Sequence, residues 1–193
     1  MPSKSSSLLI KPIPCRRVRI TQTHRIWSLA QVIIDKAGGD GVMISAAESC
    51  TGGLISAALT DVPGSSAIFE RGFITYSNDA KSEMLGVPMQ LIETHGAVSA
   101  PVARAMAEGA IKNSNADIAV SVTGIAGPTG GTNKKPVGLV WFGLANRNGA
   151  NRVERRVFTH GARDFVRAKA TETALRLILT QLRSTNQTIA LPN

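Results

Sequence analysis

The stretch over residues 44–59, ISAAESCTGGLISAAL, changes character in its middle. Small and apolar residues over 41–48 predict a buried strand, and the residues from Ser49 onward predict a helix with a polar, glycine-rich first turn. Ser, Cys and Thr side chains therefore stand where a strand passes into a helix. In folds of alternating strands and helices, functional sites gather at such strand ends.

The same alternation continues on both sides of this stretch. Hydrophobic patterning and breaker residues predict further strands at 67–77, 116–125, 137–145 and 151–159, and helices at 25–38, 77–87, 100–114 and 162–184. The predicted inner stripe of the last helix is Phe165, Ala168, Leu175, Ile178 and Leu182. We therefore expect a single three-layer α/β/α domain, with a mostly parallel or mixed sheet and helices on both faces.

Length and composition fit one domain of this kind. The chain has 193 residues, of which 43% are apolar, and no apolar run approaches the roughly 20 residues that would span a bilayer. Two cysteines, Cys15 and Cys50, do not make a disulfide framework, so a reducing cytoplasm is expected. We place the domain at residues 25–185, between a basic leader at 1–24 and a tail at 186–193.

The net charge of +9 is concentrated near the start of the chain. Six of these charges precede the first acidic residue, Asp35. This distribution favours a solvated, flexible leader, with a basic arm or a transit-like leader as alternatives. Aromatic residues make up only 4% of the chain, which argues against a nucleic-acid-binding surface built on stacking.

Ser49 has two local interpretations. A serine at a helix N-terminus lies beside unpaired backbone N–H groups, which could hold the oxyanion of a tetrahedral intermediate, and Gly52 and Gly53 would admit a substrate. Ser49 could instead be only the N-cap of the helix, and local features alone favour that interpretation.

A nucleophilic serine needs a base. The three histidines lie in the leader (His24) or in turn-like stretches (His95 and His160), and no metal-binding spacing is present. Lys81, in TYSNDAKSEML, can act as a base if burial lowers its pKa, although most helical lysines are solvated. Cys50 is a rival nucleophile, but a cysteine at this position is usually buried and inert.

The motifs AESCTGG, FITYSNDAK, HGAVS, SVTGIAGPTGG and ARDFVRAKA, in this order, resemble the CinA C-terminal domain family. The similarity extends over about 26–182 and is strongest to the stand-alone members, which are nicotinamide mononucleotide (NMN) amidohydrolases. It implies hydrolysis of the NMN carboxamide to nicotinic acid mononucleotide and ammonia by a Ser/Lys pair. Ser49 and Lys81 occupy those two positions. It also implies a homodimer or larger assembly and no metal or organic cofactor.

Further site residues are expected at the ends of the strands and in the same motifs. Tyr76, five residues before Lys81 and at the end of the preceding strand, would orient the catalytic pair or stack on the substrate ring, or it could be only a strand-end tyrosine with a solvated hydroxyl. The expected substrate contacts are Cys50, Thr51, Gly52, Gly53, Thr123, Gly124, Gly127 and Arg163, with Gly130 and Gly131 shaping the second wall of the site. An arginine suits a phosphate group, but Ala162 stands where the family commonly has an Asp, and Lys134, Lys135 and Arg71 are alternatives.

Two other functions compete with the amidohydrolase. One is a non-catalytic CinA-like protein that binds a nucleotide or a protein partner and is linked to competence or DNA damage. The other is nucleic-acid binding through the basic leader. The presence of both Ser49 and Lys81 favours the enzyme.

Overall fold

The computed structural model describes residues 19–149, 151–159 and 161–189. The helices are α1 (Arg19–Asp40), α2 (Leu54–Thr60), α3 (Asn78–Leu85), α4 (Met89–His95), α5 (Ala100–Lys112) and α6 (Arg163–Ile189), and a 3-10 turn lies at Ser65–Ala67. The strands are β1 (Ile44–Glu48), β2 (Phe69–Ile74), β3 (Ile118–Gly124), β4 (Leu139–Asn146) and β5 (Arg152–Val157). Within the described ranges, no helix has the length and apolar character to cross a membrane.

The five strands form one mixed sheet in the order β2-β1-β3-β4-β5. Strands β2, β1 and β3 are parallel to one another, whereas β4 and β5 run antiparallel to their neighbours. The prediction of a mostly parallel or mixed sheet is confirmed. Because parallel strands share one direction, the carboxyl ends of β1, β2 and β3 meet at one edge of the sheet.

Helices cover both faces of the sheet, as the α/β/α prediction requires. One face packs against α1, α2 and α6, and the other packs against α3, α4 and α5. Strand β1 is buried throughout and alternates between these two layers: Ile44 and Ala46 belong to the first hydrophobic cluster and Ala47 to the second. This period of two decides which layer each residue at the end of β1 faces.

The ends of the domain differ from prediction. Helix α1 begins at Arg19, so the boundary predicted between residues 24 and 25 falls inside a helix, because the polar residues of RITQTHR contain no helix breaker. Residues 1–18 and 190–193 lie outside the described ranges, and α6 reaches Ile189. In the predicted stripe of α6, Leu175, Ile178 and Leu182 are fully buried, while Phe165 and Ala168 are half-buried.

Helix α4 was not predicted from the sequence. It has seven residues and buries Ile92 against the cluster on the α3–α5 face. A helix this short is marginal in isolation and forms because of tertiary packing, which a local pattern does not reveal.

Candidate active site

Ser49 directly follows β1 and lies on the face of the sheet that carries α3. Its backbone N–H donates to the carbonyl of Val122 at 2.9 Å, which continues the pairing of β1 with β3 by one residue. Ala47, two residues earlier, packs into the cluster on the α3–α5 face, so the side chain of Ser49 points to the same layer. Ser49 is 9% exposed, so a small group can still reach its hydroxyl.

Lys81 lies in the first turns of α3, which Ser77 caps by accepting from the Ala80 N–H. Its Nζ is 3.1 Å from Ser49 Oγ. The same Nζ donates to the backbone carbonyls of Thr75 at 2.8 Å, Tyr76 at 3.3 Å and Ser77 at 3.2 Å. The prediction that Ser49 and Lys81 are brought together is therefore in agreement with the structure.

Burial disfavours the charged form of Lys81. The residue is 1% exposed, and burial lowers the pKa of its amine from the ordinary value of 10.5. Among the described side chains, no carboxylate forms a salt bridge with Lys81. A neutral amine has two N–H donors for the surrounding carbonyls and a lone pair that can accept the proton of the Ser49 hydroxyl.

Glu48, next to Ser49, faces the other layer and caps α2. Its fully buried carboxylate accepts from the N–H groups of Gly53 at 3.0 Å, Ile55 at 3.1 Å and Ser56 at 2.8 Å, and from the Ser56 hydroxyl at 2.7 Å. Helix α2 begins at Leu54, five residues later than predicted. The N-cap interpretation of Ser49 is wrong, because Glu48 supplies the capping acceptors and leaves the Ser49 hydroxyl free for Lys81.

The turn between β1 and α2 leaves only some of its N–H groups available. Gly52 N–H donates to the Ser49 carbonyl at 3.1 Å, and Gly53 N–H is taken by Glu48. Both glycines have positive φ, 58° and 93°, which explains why glycine occupies these positions. Gly52 and Gly53 therefore have no free N–H group for an oxyanion. Within the described residues, the N–H groups of Cys50 and Thr51 bond to no other residue.

Cys50 is unsuited to act as the nucleophile. Its side chain is 5% exposed and lies in the cluster on the α1–α2–α6 face, the opposite layer from Ser49. Burial raises the pKa of the Cys50 thiol to about 12, so the reactive thiolate is disfavoured. The expectation of an inert cysteine agrees with this environment.

The second wall of the site consists of the end of β3, the following loop and the start of α6. The Thr123 hydroxyl donates to the Ala97 carbonyl at 2.8 Å. Arg163 donates to the Gly127 carbonyl at 3.0 Å and to the Tyr76 hydroxyl at 2.9 Å. The Tyr76 hydroxyl therefore bonds to Arg163, while Tyr76 contacts Lys81 only through its backbone carbonyl. Tyr76 itself is 62% exposed, which leaves its ring accessible for stacking.

Comparison with known proteins now identifies the family. A family model described as the CinA C-terminal domain matches residues 27–182. The chain belongs to the CinA C-terminal domain family.

Relatives and solved structures agree with this membership. The chain is 52% identical over 141 residues to the nicotinamide-nucleotide amidohydrolase PncC of Escherichia coli K12, covering 73% of this chain and 85% of that protein. It is 54% identical over 145 residues to a competence-damage inducible protein of Symbiobacterium thermophilum, covering 72% of this chain but only 34% of that longer protein. The crystal structure of the competence/damage inducible protein CihA from Agrobacterium tumefaciens has a TM-score of 0.80 at 48% identity, covering 82% and 96% of the two chains.

Several predicted residues of this CinA domain lie elsewhere or have other partners. Arg71 pairs with Glu70 and donates to the Asn113 carbonyl at the C-terminal end of α5, so it is not part of the site. Lys135 donates to the His95 carbonyl at 2.7 Å, and Lys134 is exposed. His24 is exposed on α1, His95 ends α4, and His160 lies outside the described residues. The described side chains contain no group of three or more His, Cys, Asp or Glu that could hold a metal ion.

Two residues that build the site were not predicted. The carboxylate of Glu48 organises the turn after β1, because it accepts from the N–H groups of Gly53 and Ser56. Arg167 was not considered, yet its guanidinium donates to the carbonyls of Cys50 at 3.2 Å and Thr51 at 2.8 Å. The available signal was its position four residues after Arg163, which places both side chains on one face of α6.

Proposed function

We propose that this protein hydrolyses the carboxamide of NMN to nicotinic acid mononucleotide and ammonia. The observation that carries the proposal is the distance of 3.1 Å between Ser49 Oγ and the buried Nζ of Lys81. The 52% identity to the E. coli nicotinamide-nucleotide amidohydrolase over most of that protein supports the choice of substrate.

Acylation begins with proton transfer within this pair. Neutral Lys81 accepts the proton of the Ser49 hydroxyl as Oγ attacks the carboxamide carbon. The N–H group of Thr51, which bonds to no other described residue, is the donor that we assign to the oxyanion. Protonated Lys81 then gives its proton to the leaving nitrogen, the C–N bond breaks, and ammonia departs from an ester on Ser49. The cationic pyridinium withdraws electrons from the carboxamide and makes attack easier.

Deacylation repeats the same proton transfers with water. Lys81, neutral again, accepts a proton from a water molecule as its oxygen attacks the ester carbon. The second tetrahedral intermediate uses the same N–H donor, and Ser49 leaves with the proton that Lys81 returns. The carbonyls of Thr75, Tyr76 and Ser77 hold the amine in place through both steps.

Recognition of the nucleotide is assigned to the second wall. The exposed ring of Tyr76 can stack on the pyridinium, where a cation–π interaction adds to the contact. Arg163 now bonds only to neutral oxygens, of Tyr76 and Gly127, and is suited to form charge-assisted bonds with the phosphate. The Tyr76 hydroxyl and the Gly127 carbonyl hold Arg163 in place, so its orientation does not require an Asp at position 162.

The cellular setting is part of the same proposal. We propose a cytoplasmic location, which the low cysteine content supports, and a homodimer or larger assembly, which the family resemblance supports. Light scattering on the purified protein would measure the assembly directly.

Ammonia release from NMN tests the reaction. The wild-type protein is expected to release one ammonia for each nicotinic acid mononucleotide formed, and Ser49→Ala is expected to reduce kcat by about 10³-fold or more while it stays folded. A folded wild-type protein that binds NMN without releasing ammonia would contradict the proposal. That outcome would favour the non-catalytic nucleotide-binding protein.

A further inference from the structure

Arg167 reaches from α6 to the turn that carries the nucleophile. Its Nε donates to the Cys50 carbonyl at 3.2 Å and its Nη2 donates to the Thr51 carbonyl at 2.8 Å. One guanidinium thus holds two consecutive peptide groups, Cys50–Thr51 and Thr51–Gly52. No salt bridge to Arg167 is found among the described carboxylates, so its charge is directed at these backbone dipoles.

The hydrogen bond from Arg167 to the Cys50 carbonyl fixes the direction of the Thr51 N–H group. In a planar trans peptide the carbonyl and the N–H point in opposite directions, and the Cys50 carbonyl shares its peptide with the Thr51 N–H. Because Arg167 holds that carbonyl, the Thr51 N–H points away from Arg167. The next peptide is held at both ends, by Arg167 on the Thr51 carbonyl and by the bond from Gly52 N–H to the Ser49 carbonyl.

We propose that Arg167 is a positioning residue for the oxyanion site of this enzyme. It orients and polarises the Thr51 N–H toward the oxygen that becomes charged when Ser49 attacks. This inference rests on the proposed amidohydrolase function. A cation behind an oriented peptide dipole stabilises the oxyanion more than the neutral carboxamide, so its main effect falls on the transition state.

Arg167 and Arg163 divide two tasks between them on one face of α6. Arg163 bonds to groups of the outer wall, the Tyr76 hydroxyl and the Gly127 carbonyl, where a substrate phosphate can replace them. Among the described residues, the Arg167 guanidinium bonds to the Cys50 and Thr51 carbonyls of the turn. Loss of Arg163 should therefore raise KM, whereas loss of Arg167 should lower kcat.

Kinetics of Arg167→Ala and Arg167→Lys test this division. We expect kcat for NMN to fall roughly 10- to 100-fold in Arg167→Ala and about tenfold in Arg167→Lys, with KM changed by less than about threefold. Guanidinium at a non-denaturing concentration should restore part of the kcat of Arg167→Ala. Arg176→Ala is the matched control, because Arg176 lies on the same helix, pairs with Glu172 and has no contact with the turn; its kcat should stay within about twofold of wild type.

A labelling reaction gives a readout that does not depend on NMN. An alkyl fluorophosphonate reacts when Ser49 Oγ bonds to phosphorus, fluoride leaves, and the phosphoryl oxygen occupies the oxyanion site. We expect labelling of Ser49, measured by mass spectrometry, to be at least about tenfold slower in Arg167→Ala than in wild type and to be absent in Ser49→Ala.

The NMN kinetics and the labelling reaction together distinguish a failure of this inference from a failure of the proposed function. If wild type releases no ammonia but Ser49 is labelled more slowly in both Arg167 variants, the reaction is wrong and the role of Arg167 stands. If folded Arg167→Ala and Arg167→Lys keep wild-type kcat and labelling rate, the inference is overturned. It is also overturned if wild-type Ser49 is neither labelled nor active. If Arg167→Ala does not fold, Arg167→Lys decides, since it keeps the charge and the aliphatic stem.

Discussion

At the end of β1, each face of the sheet carries one buried ionisable group, and the two groups have different kinds of hydrogen-bond partners. On one face, the carboxylate of Glu48 accepts four hydrogen bonds from the start of α2. On the other face, beside Ser49, the amine of Lys81 is as deeply buried, but its hydrogen-bond partners among the described residues are three carbonyl oxygens and one hydroxyl.

This difference separates stability from reactivity. Glu48 gains the oriented N–H groups of a helix N-terminus, which favour a negative charge, so its burial stabilises the turn. Lys81 forms no salt bridge with a described carboxylate, and burial lowers its pKa, as the proposed role of a base requires. Glu48 and Ser49 are adjacent in sequence, but Glu48 caps α2 whereas Ser49 faces the amine of Lys81.

Lys81→Met should give the largest effect, because it removes the base and nearly preserves the shape of the side chain. We expect kcat for NMN to fall by about 10³-fold or more. Ammonia release measures the loss, and a cooperative thermal transition shows that the variant still folds. Retention of more than about a tenth of wild-type kcat would exclude Lys81 as the base.

A comparison of wild type with Lys81→Met should also show whether folding lowers or raises the pKa of Lys81. A lysine whose pKa is lower in the folded than in the unfolded state makes stability rise with pH, between the folded pKa and 10.5. The unfolding free energy of wild type should therefore increase relative to Lys81→Met across that interval. A relative decrease would mean that folding raises the pKa.

Glu48→Ala should mainly reduce stability. Loss of the carboxylate leaves the N–H groups of Gly53, Ile55 and Ser56 without their acceptor at a buried position, and we expect the free energy of unfolding to fall by about 3 kcal/mol or more. Chemical denaturation measures this change. Glu70→Ala is the control, because it removes a carboxylate that pairs with Arg71 at the surface. Equal losses in the two variants would contradict the capping role of Glu48.

Cys50→Ala should have little effect on activity. Burial raises the pKa of the Cys50 thiol, so the reactive thiolate is disfavoured at pH 8. We expect kcat within about threefold of wild type and negligible alkylation of Cys50 by iodoacetamide in the folded protein. Complete inactivation with retained folding would move the nucleophile from Ser49 to Cys50.

Ser45→Ala should have the smallest effect. Ser45 lies on the same face of β1 as Ser49 but near the other end of the strand, and its buried hydroxyl has no hydrogen-bond partner among the described residues. Removal of an unpartnered hydroxyl should leave the free energy of unfolding unchanged or raise it by up to about 1 kcal/mol. Thermal unfolding and kcat together check this; a clear loss of either would show that the hydroxyl has an unrecognised role.

The sequence was sufficient for the architecture and for the reactive pair, but not for the turn between them. Alternating patterns predicted the layers, and the resemblance of AESCTGG and YSNDAK selected Ser49 and Lys81. N-cap preferences favoured Ser49 as the start of the helix. They did not predict that Gly52 and Gly53 adopt positive φ and that the helix begins only at Leu54.

What the sequence could not supply depends on contacts between distant segments. The burial of Lys81 results from packing of α3 on the sheet, and its Nζ reaches a serine 32 residues earlier. Arg167 contacts carbonyls 116 and 117 residues away, so its spacing from Arg163 indicates a shared face of α6 but does not indicate these partners. Every residue has a backbone carbonyl, so the type of the accepting residue does not indicate such a hydrogen bond.

The most direct test of the Ser49–Lys81 pair is an NMR titration of Lys81, with its side-chain carbons labelled and its resonance assigned by comparison with Lys81→Met. The titration is followed beside the pH dependence of kcat/KM. Since the base must be neutral, the rate should rise with pH and level off above the pKa of Lys81. The account predicts one midpoint, below 10.5, for both the resonance and the rate. A Lys81 that titrates at or above 10.5, or a rate that levels off while Lys81 is still protonated, would contradict it.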